Sequence, residues 1–118
     1  MLPVKCFLPL LLSLSVLHGD LAGAAVPLKV IGFDDMSCKA WSKSKDDPEQ
    51  RRLLLGWVRG FLSGHNYANP GQQIAVVSSG TVELYVDRFC SEKPQALFSD
   101  AALRMSDQFS GRNAPITR

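Results

Sequence analysis

Two histidines and three cysteines are all that the 118 residues hold of the side chains that usually bind transition metals. There is no CxxC pair, and only His65 falls outside the apolar start of the chain, so neither a metal nor another cofactor is expected. Charge of one sign is also missing. The net charge is +2, which provides no concentrated basic face of the kind nucleic acid requires. The apolar run at the start, Phe7 to Leu17, falls short of the roughly 20 residues that a bilayer-spanning helix needs, and no stable membrane insertion is expected. No internal repeat, low-complexity tract or second domain is visible, leaving room for one small domain.

What the first residues do contain is a leader. Lys5 provides a positive start, Phe7–Leu17 an apolar core, and Ala22-Gly23-Ala24 a small-residue cleavage site. Residues 1–24 therefore read as a signal peptide, with an uncleaved anchor as the alternative. Ala24 stands where a lipoprotein would carry cysteine, so the expected product is exported and released without a lipid anchor. Removing Lys5 and Asp20 from 13 basic and 11 acidic residues leaves 12 and 10, still +2. Removing Cys6 leaves Cys38 and Cys90 in a compartment where disulfides persist. A bridge between them would close a loop of about 50 residues and contribute roughly 4 kcal/mol. Two free thiols, or a bridge to another chain, are the alternatives.

Residues 25–35 read as an extended lead-in, 36–110 as a disulfide-linked helical domain and 111–118 as a flexible tail. Ser37 suits the cap of a short helix that puts Cys38 and Trp41 on one side. "DDPEQRR" supplies Asp47 as N-cap, Pro48 at the first helical position and Gln50 at capping-box spacing. The long helix it starts runs to about Tyr67, where "NPG" stops it. The following "QQIAVVSSG" is a linker that reads as strand-like or as a helical turn. Val82, Tyr85, Val86, Phe89 and Cys90 mark a third helix, and Leu97, Ala101, Met105 and Phe109 repeat along a fourth that stops at Gly111. The fold predicted is all-α, a small single-domain orthogonal bundle of about four helices with one disulfide.

Gly56, Gly60 and Gly64 form a row on the most apolar segment, "LLLGWVRGFLSGHN". Leu53, Trp57, Phe61, Leu54, Val58 and Leu62 cover one apolar arc, the glycines line its border, and Arg52, Arg59, Ser63 and Asn66 gather opposite. The row costs roughly 3 kcal/mol relative to alanine. Close packing of another helix of the same chain is the expected offset; a groove accepting a partner or ligand is the other reading.

"SCKAW", "GWVRGFLSG", "YVDRFCSEKP" and a final "DAAL" helix together resemble the HdeA/HdeB-type acid-stress chaperones of the bacterial periplasm, over about Met36 to Met105. The resemblance implies a helical fold with Cys38 and Cys90 as its disulfide pair, and no catalytic residue carries over. Other exported helical proteins share the layout, among them immunity proteins that neutralise secreted toxins.

Side chains for catalysis are few, and no enzyme is expected. Glu83 and Asp87 lie one turn apart and read as a solvated pair beside Arg88; Ser63 and His65, two apart on a helix, do not face each other. His65 falls in the apolar arc, where acid would force a neutral imidazole to charge, unless the last turn frays and exposes it. Protonating ten carboxylates and His65 would raise the side-chain charge from +2 to roughly +13, a loosening force below the carboxylate range. The expected function is binding of unfolded clients under acid stress through Trp57, Val58, Phe61, Leu62, Val82, Tyr85 and Phe89. The alternative is an immunity-type module for a single protein partner. A homodimer is compatible with either.

Overall fold

Local capping signals place the helix starts. The computed structural model describes Leu2, Pro3 and residues 27–111; the rest of the expected leader and the tail beyond Gly111 lie outside the described residues. Residues 27–36 run without helix, as an extended lead-in should. Ser37 Oγ accepts from the Ala40 N–H at 3.0 Å and opens α1, Cys38–Lys43, which tightens into a 3-10 turn at Ser44–Asp46. Asp47 Oδ1 accepts from the Gln50 N–H at 3.1 Å and Pro48 takes the first position of α2, Pro48–Ala68. The reciprocal half of a capping box has no free donor, because the Asp47 N–H already serves the Ser44 carbonyl at 3.0 Å. Ser78 caps α3, Ser79–Glu92, and Gly111, with φ of 75°, follows α4, Phe98–Phe109, in the left-handed conformation that glycine adopts readily.

The linker is neither strand nor helical turn. Asn66 holds it by both ends of its amide, donating to the Ile74 carbonyl at 2.9 Å and accepting from the Ile74 N–H at 2.7 Å, which draws Ile74 into the core. The fourth helix is also shifted from its expected phase. Its buried residues are Phe98, Ser99, Ala101, Ala102, Met105 and Ser106, while Leu97 and Phe109 are exposed. A non-local bridge sets this phase: Phe98 N–H donates to the Met36 carbonyl at 2.8 Å and Cys38 N–H to Ala96 at 2.9 Å. Those bonds do for the start of α4 what a side-chain cap does elsewhere, and they leave Leu97 facing solvent.

Among the described residues these elements make an all-α, single-domain bundle of four helices with one disulfide. Cys38, the first residue of α1, is bonded to Cys90 near the end of α3, with Cα atoms 5.1 Å apart and 52 positions between them in sequence. The core collects Trp41 from α1, Leu54, Val58 and Leu62 from α2, Val82, Val86 and Phe89 from α3, and Phe98 and Met105 from α4.

The expected orientation of α2 needs two corrections. Leu53 is 53% exposed, and the true inner stripe is Arg51, Leu54, Val58, Leu62 and His65. Among the described residues the glycine row does not pack on another helix: a Cβ added at Gly56, Gly60 or Gly64 would meet nothing within 4 Å. The physical reason is one-sided packing. The 3-10 turn, α3 and α4 pack against α2 along its inner stripe. At 100° per residue the glycines lie nearly opposite Leu54, Val58 and Leu62, toward solvent.

Candidate functional site

The inner stripe of α2 begins with a charge. Arg51 is 8% exposed, and its guanidinium lies 4.1 Å above the Trp41 ring, a cation–π contact. Nε donates to Ser44 Oγ at 2.7 Å and Nη2 to the Trp41 carbonyl at 2.8 Å. Nη1 donates to Asp87 Oδ1 at 3.0 Å and to Glu83 Oε1 at 3.2 Å. Asp87 Oδ1 also accepts the Trp41 indole N–H at 2.7 Å, and Ser44 Oγ donates to the Trp41 carbonyl at 2.6 Å. One guanidinium therefore ties together α1, the 3-10 turn, α2 and α3. A buried charge needs this many partners, since each missing one leaves it uncompensated away from water.

Glu83 and Asp87 are open to solvent, as a solvated pair should be, but they are engaged by Arg51. They turn toward Arg51, with side chains 41% and 49% exposed. Spacing held the signal for this latch. Arg51 stands three residues before Leu54 and seven before Val58, so once that stripe is the inner one a charge there requires a counter-charge.

The residues expected to bind clients are brought together, but closed. Val58, Leu62, Val82 and Phe89 are buried, and Trp57, Phe61 and Tyr85 are partly buried against them. Four rings run from the core outward: Trp41 to Phe98 at 5.7 Å, Phe98 to Trp57 at 5.8 Å, and Trp57 to Phe61 at 5.7 Å. Trp57 and Phe61 are the outermost. At the opposite edge the Tyr85 hydroxyl donates to Gln108 Oε1 at 2.9 Å, and its ring meets Phe109 edge-on at 5.7 Å. Burial pushes the Tyr85 hydroxyl above its usual 10.0; Arg104 opposes that shift and Asp107 adds to it.

His65 is buried on the inner stripe rather than frayed into solvent. Its Nε2 lies 3.1 Å from the Gln72 carbonyl, which can only accept, so Nε2 carries the proton. At the other end of the bundle, Asp35 accepts from the Ser37 N–H at 2.9 Å. The Ser37 side chain, and then its backbone, hold the exposed Asp35 carboxyl below its usual 3.8.

Among the described residues, no group of three or more His, Cys, Asp or Glu is placed to hold a metal, and no helix is long and apolar enough to cross a membrane. Comparison with family models, with curated proteins and with solved structures gives no match.

Proposed function

We propose that this protein is an exported, periplasmic, chaperone-like binder of unfolded clients that acid opens. The observation that carries the reading is the latch: a buried arginine whose two counter-charges remain open to solvent. Glu83 and Asp87 both face the solution. Once those carboxyls are neutral, Arg51 keeps the Ser44 hydroxyl, the Trp41 carbonyl and the Trp41 ring, with no negative charge beside it. The cost of an uncompensated buried charge then favours opening of α2 from its neighbours. Opening exposes Val58, Leu62, Val82 and Phe89 alongside Trp57, Phe61 and Tyr85, an apolar face suited to an unfolded chain. The disulfide limits the opening, because it joins α1 to α3 whatever the pH. The resemblance of Met36–Met105 to the HdeA/HdeB-type chaperones agrees with this reading.

Binding of a hydrophobic dye and suppression of aggregation of a denatured client, followed from pH 7 to pH 2 with and without reductant, test it. Both should switch on in acid with the disulfide intact. An oxidised protein that does neither at pH 2–3 refutes the reading. A rigid, pH-indifferent fold that captures one partner stoichiometrically would instead identify an immunity-type module.

A further inference from the structure

We infer that Trp57 and Phe61 form a docking site for an extended apolar peptide, and that the chain's own lead-in, residues 27–33, occupies it in the closed protein. This rests on the client-binding reading above and gives it a site.

The lead-in "PLKVIGF" is an extended apolar strand of sequence held by very little. Among the described residues, Pro27–Asp35 makes no backbone-to-backbone hydrogen bond to the helices. Its one bond to α2 is from the Trp57 indole N–H to the Ile31 carbonyl, at 2.9 Å. Beyond that, Phe33 packs against the core and its N–H points to Met36 Sδ at 3.2 Å. Ile31 is 91% exposed and contributes little to holding the segment down, while Leu28 and Val30 are 43% and 38% exposed. An indole N–H that reads a backbone carbonyl beside stacked rings is indifferent to side-chain identity. It suits any extended apolar segment, in the chain or outside it.

Gly32 is what lets the segment lie so close. A Cβ there would stand 2.9 Å from Trp57 Nε1 and 2.7 Å from Met36 Sδ. The methionine end can swing aside. The indole cannot easily follow, being stacked on Phe61 and edge-on to Phe98. Gly32→Ala should therefore lift the lead-in without altering the site beneath it.

The probe is a fluorescein-labelled peptide of residues 27–34, followed by anisotropy at pH 7. The Gly32→Ala protein should bind it at least tenfold more tightly than the unsubstituted protein, and adding Trp57→Ala should abolish the gain. The indole N–H resonance of Trp57 should shift and exchange faster with solvent in Gly32→Ala. Should that variant fold poorly, Trp57→Phe, which keeps a ring and deletes the donor, should speed tryptic cleavage after Lys29. A dimer that forms in Gly32→Ala and is lost with Trp57→Ala supports the site, because a second copy's lead-in is such a peptide. Equal peptide affinity with and without Gly32→Ala, binding or dimerisation that survives Trp57→Ala, or unchanged cleavage in Trp57→Phe overturns it. Peptide binding without any suppression of client aggregation leaves the site and retires the chaperone reading. Suppression unaffected by either Gly32→Ala or Trp57→Ala does the reverse.

Discussion

Replacing Gly56, Gly60 and Gly64 together by alanine should stabilise the protein by about 2.5–3 kcal/mol. Each glycine in a helix interior costs about 0.8–1 kcal/mol relative to alanine, in part through the extra freedom of the unfolded chain. The gain is realised only where the new methyl has room, and at all three positions it meets no heavy atom within 4 Å. Gly64 lies in the turn before Ala68, the last residue of α2, where fraying lowers the return, so Gly64→Ala should give the least of the three. For a domain this small the triple variant should melt roughly 10–20 °C higher. Its denaturant midpoint should rise at unchanged slope, the mark of a change in stability rather than in the surface exposed on unfolding. Leu54→Ala on the opposite stripe is the control and should lose about 2–5 kcal/mol. If the row instead seats another backbone of the same chain, the methyls would push it away and cost about 1–3 kcal/mol. A midpoint that falls or stays put therefore refutes the one-sided packing of α2.

Arg51→Met should destabilise by about 2–3 kcal/mol, less than the usual penalty for breaking a fully buried pair because Glu83 and Asp87 can rehydrate; Arg51→Lys should recover little, since a single ammonium cannot span the same four acceptors. Equilibrium unfolding checks both, and a neutral Arg51→Met would remove the latch. In the same assay Asp87→Asn should cost more than Glu83→Gln, because Asp87 accepts from Trp41 as well as Arg51. Reducing the Cys38–Cys90 bond should lower stability by about 4 kcal/mol, read as a denaturant midpoint with and without reductant. The Tyr85 hydroxyl is held above 10.0 in the folded state, so its contribution is complete below that pH and is lost as pH rises through the raised value. In a Tyr67→Phe background the remaining phenol should titrate above 10 by absorbance at alkaline pH, and a midpoint at or below 10 would contradict its burial.

Local chemistry was legible in the sequence where a few adjacent residues decide the outcome. Ser37, Asp47-Pro48 and Gly111 each start or stop a helix through atoms within four positions of themselves. The cysteine pairing was legible for another reason: with Cys6 assigned to the expected leader, two candidates are left. The side of α2 that turns inward was not. Leu53 to Leu62 spread over about half the helix circumference, and only the one-sided placement of its neighbours leaves Leu53 and the glycines outside. The phase of α4 likewise depends on Met36 and Cys38, some 60 positions upstream. The Asn66 clamp on Ile74 gives no periodic signal at all.

Arg51 is the site residue that the sequence reading missed, because its burial follows from the side of α2 that turns inward, and it changes where acid should act. The rise in overall positive charge is a diffuse repulsion shared by many small proteins. The latch is local: both counter-charges come from α3, while the first helix and its 3-10 turn offer Arg51 only neutral groups. The α1–α3 contact, by contrast, is fastened by a disulfide that does not titrate. Two fasteners, one ionic and one covalent, thus meet on α3. Under the acid-opening proposal any opening falls at the seam between α2 and its neighbours, since the covalent fastener holds α1 to α3. That seam is lined by Leu54, Val58 and Leu62 of the core, so under the same proposal α2 is the element whose release would uncover the apolar face.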